Sequence, residues 1–375
     1  MQPLDGYRVI DLSTYYSGPF AALHLVDLGA DVVKVESPAG DPQRKFGVMR
    51  SGVSVGFANI NRGKRSVALD LTTDAGREDL FGLIRSADAL IGNWRPGVAD
   101  RLGLSDGAIE LANPRLVHLW ITGFGVDGPL AAAPTYDPIT QAYSGLAWSE
   151  GSNEPRLLNS FIADKMAGVY AAQSILAALL VRERTGRGGR VDVSLLDSLA
   201  YFNFPDMFAS RTIIGDAGEQ KMRPLPTLVK ARDGYLVICP GQGRDIRNTC
   251  IAAGHPEWVE SLQSFRDYRD IGPRLIELLE TVTGEQDVKF WVERMRELDV
   301  PVSEVMDLDN HLADPQVVVC ETYGEMSDPR LGAIRYARYP GRWRSAERIS
   351  PSPYPEIDEH GGELRVSEAS SDRKG

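Results

Sequence analysis

An acidic residue stands at the head of a long apolar run. Asn159-Ser160-Phe161-Ile162-Ala163-Asp164-Lys165 leads into MAGVYAAQSILAALLV, whose Ala and Leu content predicts a helix buried on most sides. Asp at such a junction predicts an N-cap, with the carboxylate accepting orphan backbone N–H groups of the first turn. The same position suits a second use, as a carboxylate held ionised by the helix N-terminus at the mouth of a site. Asp164 by itself leaves both uses open. Three other clusters carry possible chemistry. Asn61-Arg62-Gly63-Lys64-Arg65 packs three cations into five residues, which reads as a solvated turn or as a phosphate clamp. Asn93-Trp94-Arg95-Pro96-Gly97-Val98-Ala99-Asp100-Arg101 offers a flat aromatic face and a cation, and Pro96 could start a helix. A nucleotide would suit that pair, and so would a core Trp beside a surface Arg. Pro134-Thr135-Tyr136-Asp137 presents a phenol in a turn-rich loop, either packed in the core or free to hydrogen-bond a ligand.

These clusters need a scaffold, and the pattern of the chain predicts one. Tyr7–Ser13 is β-rich, residues 20–29 have helical composition, and Asp31–Glu36 is the next strand. Ser66–Leu71, Ala89–Trp94 and Leu116–Thr122 read as further strands, with Asp74–Ser86 as a helix. Alternation of this kind predicts an open α/β sheet, on which ligands sit beyond the carboxyl ends of the strands. The first turn lacks G-x-G-x-x-G, so no dinucleotide fingerprint is present. Residues 123–160 form a long connection carrying Tyr136, Tyr143 and Trp148, too aromatic for a disordered segment. Arg190–Leu195 is a strand after the glycine-rich stop Thr185–Gly189. We expect a large domain over 1–210, a linker over 211–224, a smaller α/β domain over 225–305, and a return to the large domain over 306–375 that ends in a polar tail. In the smaller domain, Thr283 with Gln286 fits a capping box ahead of the stripe Val288, Trp291, Val292, Met295, Leu298, which reads as core.

Composition sets limits on function. The chain has 375 residues, 43% hydrophobic and 25% charged, enough for a sizeable core and two domains. A net charge of −11 argues against general nucleic-acid binding. No apolar run meets the usual length for a bilayer span, and residues 166–181, the nearest, read as a core helix. The first residues lack the pattern of a secretory signal. Cys239, Cys250 and Cys320 have no metal-ligand spacing and suit a reducing compartment, so we expect a cytoplasmic protein without a metal.

Six segments in order carry a resemblance: RVIDLSTYYSGPFAALHLVDLGADVVKVESPAGD, NRGKRSVALDL, NWRPGVADRLGL, ITGFGVDGPL with YDPITQAYSG, the Asp164 helix, and GRGGRVDVSLLDS. Over most of its length the chain resembles the class III CoA-transferases. The resemblance implies an α/β fold with a Rossmann-like large domain built from N- and C-terminal parts, a smaller α/β domain, and an interlocked ring-like homodimer. It implies Asp164 as the nucleophile toward an acyl-CoA thioester, with Tyr136 hydrogen-bonding the acyl carbonyl or a carboxylate. CoA contacts carry over to Tyr16, Ser17, Leu69, Asn93, Trp94, Val98 and Arg101, with Lys64 and Arg65 near the adenosine phosphates. Coenzyme A enters as a substrate, and no other cofactor is implied. Lys165–Gly168 and the glycines of Pro240-Gly241-Gln242-Gly243 are candidate sources of backbone N–H donors, the latter as a covering loop. The chain departs from the formyl-CoA:oxalate pattern at Tyr16, Ser37 and Pro134, where those enzymes have Gln, Arg and Lys. These departures leave oxalate specificity and some of the phosphate contacts without their family residues.

Two rival functions follow from the same fold. A 2-methylacyl-CoA racemase moves a proton with a His/Asp pair, but its His falls at Tyr136 here. The histidines are His24, His118, His255, His311 and His360, so none lies between 119 and 254. A phenol is a poor base at neutral pH. The other rival is a non-catalytic CoA-binding protein, against which the retained Asp164 counts.

Overall fold

The computed structural model describes residues 1–149, 154–215, 228–241, 243–263, 268–344 and 350–365. The chain divides into two compact units, Met1–Thr212 with Glu321–Gly375, and Ile213–Cys320.

The first unit is built on a six-stranded sheet. In chain order its elements are β1 (Arg8–Asp11), α1 (Ser17–Asp27), β2 (Asp31–Glu36), the short hairpin β3 (Met49–Arg50) and β4 (Val53–Ser54), α2 (Val55–Asn61), β5 (Arg65–Ala68), α3 (Asp74–Arg85), β6 (Ala89–Gly92), α4 (Val98–Arg101), α5 (Asp106–Ala112), β7 (Val117–Thr122), α6 (Asp137–Tyr143), α7 (Leu146–Ser149), α8 (Ile162–Thr185), β8 (Gly189–Ser194) and α9 (Leu195–Met207). The strand order β5-β2-β1-β6-β7-β8 is parallel throughout. That order reverses direction between β1 and β6, the switch point at which the carboxyl ends of two strands splay their loops apart. The sheet interior is Val-, Ile- and Leu-rich, as strands covered on both faces must be, with Ile10, Val33, Val67, Leu90, Ile91 and Leu119 fully buried.

α8 covers one face of the sheet. Its stripe Ala163, Ala167, Ala171, Ala172, Ile175 and Leu179 is buried with α1 residues Ala21, Ala22 and Leu25 in one core. By length and composition this 24-residue helix reaches the range of a membrane span, further than its sequence suggested; its buried stripe marks it as a core helix. Gly168 sets how close it lies to α1. A Cβ there would come within 3.0 Å of the Ser17 carbonyl oxygen and 3.3 Å of the Ala21 nitrogen, so only glycine lets the two backbones approach this far.

The C-terminal segment adds no strand to the central sheet among the described residues, contrary to the expectation of a sheet made from both ends of the chain. It forms a separate hairpin, β12 (Tyr323–Asp328) with β13 (Gly332–Ala337), and then runs along the β5 edge. There Ala68 N–H donates to Asp358 Oδ1 at 2.8 Å and His360 N–H donates to the Ser66 carbonyl at 2.9 Å. An otherwise open sheet edge is thereby covered.

The second unit has a three-stranded sheet, β11-β10-β9, of β9 (Leu228–Lys230), β10 (Tyr235–Ile238) and β11 (Val302–Glu304). Its helices are α10 (Gly243–Ala252), α11 (Trp258–Gln263), α12 (Tyr268–Thr283) and α13 (Val288–Glu297), followed by α14 (Leu308–Ala313) and α15 (Pro315–Val319). The Val288, Trp291, Val292, Met295 stripe is core. The cap of α13 is Asp287, which accepts from Phe290 N–H, and not Thr283, whose hydroxyl is engaged with the Lys230 carbonyl. The unit runs on to Cys320, past the boundary expected at 305, because two capped helices follow β11. Residues 216–224 of the expected linker, Gln242 of the expected covering loop and the tail from 366 lie outside the described residues.

Candidate active site

The loop after β1 is held from below by buried charge. Asp11 Oδ1 accepts the Ser13 N–H at 3.0 Å and also the Ser13 hydroxyl. Lys34 Nζ donates to the Ser13 carbonyl at 2.8 Å and meets Asp41 Oδ2 at 3.0 Å. Lys64 Nζ donates to Asp11 Oδ2 at 2.8 Å, Asn61 Oδ1 at 2.8 Å and the Pro19 carbonyl at 3.0 Å. Burial raises the Asp11 carboxyl, but Lys64 and Lys34 outweigh it and hold the group below its usual range. Burial also brings Lys64 down to about 8. These contacts fix a conformation the loop would not adopt freely: Tyr15 sits at φ 61°, in the left-handed region that costs a non-glycine residue energy. From the neighbouring strand end, Asn93 completes the clamp. Its Oδ1 accepts Thr14 N–H at 2.9 Å and its Nδ2 donates to the Thr14 carbonyl at 2.7 Å.

Above this clamp lies a cleft of about 580 Å³ at the switch point. It gathers Tyr16, Ser17, Asn93, Trp94, Val98, Arg101, Tyr136 and Asp164, residues expected from the sequence to meet in one site. Trp94 stacks on Trp120 with centroids 5.7 Å apart. Gly92 makes room for that stack, since a Cβ there would fall 2.1 Å from the Trp120 ring. Tyr136, 59% exposed, lies at the start of α6, edge-on to Tyr15 at 5.7 Å. Arg101 is exposed at the rim, on α4, which starts after Gly97 and not at Pro96.

Asp164 differs from its expected position in one respect. The helix begins at Ile162 with Phe161 as its N-cap residue, so Asp164 lies inside the first turn and does not cap it. Another carboxylate does the capping. Asp137, fully buried at the head of α6, accepts the Asp164 N–H with Oδ2 at 3.0 Å, while its Oδ1 accepts from Gln141 Nε2 at 2.6 Å. This leaves the half-buried Asp164 side chain turned to the cleft, which Ser17 also lines. Burial first, and then the Asp137 charge, push Asp164 up to about 7, against the opposing effect of Ser17. The result is a carboxyl group poised near neutrality in a ligand-sized cavity, the usual mark of a functional acid, base or nucleophile.

Four expectations are corrected. Lys64 is fully buried, with its ammonium occupied by three acceptors, because a lysine at that depth must be paired; it does not face the cleft. Arg65, at the amino end of β5, is engaged with Asp31 and Glu363. Leu69 is core. The amides from Lys165 onward belong to the helix ladder, with Lys165 N–H on the Phe161 carbonyl at 3.0 Å, and are not free to donate to an oxyanion. The α1 N-terminus, whose first turn has no side-chain cap, also reaches the cleft through Ser17. Asp137, Tyr15 and Arg95 were not assigned roles from the sequence, though Tyr15 and Arg95 line the cleft and Asp137 holds its nucleophile candidate. Adjacency of Asp137 to Tyr136 was the available signal.

Comparison with known proteins bears on what this cleft does. Residues 4–361 match CoA-transferase family III. The chain is 32% identical over 383 residues to acetyl-CoA:oxalate CoA-transferase of Acetobacter aceti, covering 99% of this chain and 97% of that protein. It is 33% identical to the BbsE subunit of succinyl-CoA:(R)-benzylsuccinate CoA-transferase of Thauera aromatica, covering 97% and 94%. Among solved structures, Rv3272 from M. tuberculosis superposes with a TM-score of 0.86 at 27% identity, covering 97% of this chain and 99% of that one.

Proposed function

The chain belongs to CoA-transferase family III and is a CoA-transferase acting between acyl-CoA thioesters and carboxylic acids, and on that premise we propose that Asp164 carries the transfer covalently. The supporting observation is the Asp164 side chain, turned to the switch-point cleft beside Ser17 while Asp137 holds its backbone. The ionised carboxylate attacks the thioester carbonyl. The C–S bond breaks, CoA thiolate leaves, and a mixed anhydride joins Asp164 to the acyl group. The thiolate then attacks the aspartyl carbonyl, the anhydride C–O bond breaks, and the first acid departs as its carboxylate. The acceptor carboxylate repeats the two steps in reverse from the aspartyl–CoA thioester. Each tetrahedral stage develops an oxyanion, for which the Ser17 hydroxyl and the free amides at the start of α1 serve as donors. Tyr136, with its weakly acidic phenol, serves as a hydrogen-bond donor to an acyl or carboxylate oxygen and not as a base. No histidine lines the cleft among the described residues, which favours transfer over α-proton chemistry.

Trp94, Val98, Arg101 and Arg95 form the cleft wall that would hold CoA, with the two arginines placed for its phosphates. The protein acts as a homodimer, interlocked as the resemblance implies. In support, α8 and α9 expose Leu180 at 63%, Val181 at 55%, Tyr201 at 74% and Phe204 at 50%, a quantity of apolar surface unusual for a monomer. Three free cysteines suit a reducing, cytoplasmic setting. The test is mass spectrometry after incubation with a panel of acyl-CoAs, with and without hydroxylamine. A hydroxylamine-labile adduct of acyl or CoA mass on the Asp164 peptide is the expected result. Deuterium exchange at the α-carbon of a branched acyl-CoA, with no adduct, would overturn it.

A further inference from the structure

The named relatives act on acids as unlike as oxalate and (R)-benzylsuccinate, so the family does not set the acid. A second cavity in the first unit does bear on it. About 470 Å³ in volume, it runs along the outer face of α1 and under β13, and Tyr16 lines both this groove and the cleft that holds Asp164. Tyr16, Phe20 and His24 recur four residues apart, so the groove extends about 12 Å from the catalytic end of the helix.

The lining is a continuous series of rings. Phe161, three residues before Asp164, packs on Tyr16 at 5.1 Å; Tyr16 meets Phe20 at 6.0 Å, Phe20 meets His24 at 4.7 Å, and His24 meets Tyr339 at 5.9 Å. Such a wall favours a flat apolar body over a small polar acid. The far end is polar and carries three arginines, Arg62, Arg335 and Arg338, against the carboxylate of Asp27. Arg62 is held by Asp27 through two bonds of 2.6 and 2.9 Å and donates to the Ala337 carbonyl at 3.1 Å, and Arg335 stands opposite Glu325 in the hairpin. His24 lines this space, and its Nε2, closed to solvent, has no hydrogen-bond partner. Burial holds the imidazole below its usual range, so at neutral pH it is an uncharged donor or acceptor. A buried polar atom of this kind calls for a partner.

We propose that this groove receives the organic body of the acid exchanged at Asp164, and that it selects aromatic acids bearing a hydrogen-bonding group, such as a hydroxyl, far from the carboxyl. The inference rests on the transferase reading above. Its geometry is direct: carboxyl at Asp164, ring against Tyr16 and Phe20, distal hydroxyl on His24 Nε2.

Isotope exchange between a labelled acid and its own CoA thioester tests this without knowing the second substrate. The probes are hydrocinnamate, its para-hydroxy derivative and propanoate. Wild-type protein should exchange the hydroxyaryl acid at least about tenfold faster than propanoate by kcat/KM. Ala337→Trp, which fills the groove from an exposed strand position, should lower aryl exchange about tenfold and leave propanoate within about twofold. His24→Leu should remove the preference for the hydroxyl and retain hydrocinnamate. Preference for propanoate, or equal loss for both acids in Ala337→Trp with His24→Leu indifferent to the hydroxyl, overturns the groove assignment. The two readings separate on the Asp164 adduct: labelling by propanoyl-CoA with aryl acids rejected sinks the groove alone, while no adduct from any thioester sinks both.

Discussion

Two groups of buried charge flank the same loop, and they are balanced differently. Beneath it, Asp11, Lys64, Lys34 and Asp41 alternate in sign, and every contact shortens toward an opposite charge or a carbonyl. Above it, Asp164 and Asp137 share a sign, with only a hydroxyl, an amide and backbone N–H groups to offset them. The first group is shifted toward its charged carboxylate, as Asp11 lies below its usual range, while the second is shifted toward the neutral acid, as Asp164 is raised to about 7. A protein that can neutralise buried charge at one end of a loop has left it uncompensated at the other, a few residues away. Compensated charge holds the scaffold, and uncompensated charge carries reactivity.

The largest effect is expected from removing the uncompensated group. Asp164→Asn should lower kcat by about a thousandfold or more, since an amide cannot form the anhydride. The same change should stabilise the fold, and the sign follows from linkage. The native carboxyl titrates at about 7 and the unfolded one near 3.8, the ordinary value for aspartate, so the native state binds the proton more tightly. Stability from this group is therefore full at low pH and is lost as pH rises through about 7. Asn should raise the melting temperature by about 3 °C or more at pH 8 and leave it unchanged near pH 4. An equal gain at both pH values would break the contrast. On the compensated side, Lys64→Met should cost about 3–5 kcal/mol in urea unfolding, by leaving Asp11 buried without its partner.

A smaller effect sharpens the contrast within the cleft. Asp137→Asn removes the like charge beside Asp164 and should move the acidic limb of the kcat/KM profile, expected near pH 7, to lower pH, because less charge opposes ionisation. An unmoved limb would leave burial as the whole cause. The smallest effect belongs to a cation outside both groups. Arg65→Ala should change the KM for CoA thioesters by less than about twofold, since its guanidinium is engaged with surface carboxylates, whereas Arg101→Ala should raise it several times more.

Much of this site was legible without coordinates. The alternation of β-rich and helical runs fixes a parallel α/β sheet, because periodicity follows from which faces are buried. It also places Tyr16 after a strand, Asn93 and Trp94 at the end of one, and Asp164 at the head of an apolar helix. What local pattern could not decide is which neighbours each charge finds. Lys64 and Arg101 are equally cationic in sequence, yet one is fully buried against Asp11 and the other stands at the cleft rim. The cap of α8 comes from Asp137, 27 residues away, so the acid that looked like its own helix's cap is free to face the ligand. Capping, pairing and pKa depend on distances of a few ångströms between segments remote in the chain. The sequence alone determined the sheet, the order of its loops and the candidate carboxylate at the head of the apolar helix. The tertiary structure decided which charges are neutralised and which is left to react, because only packing brings opposite or like charges into contact.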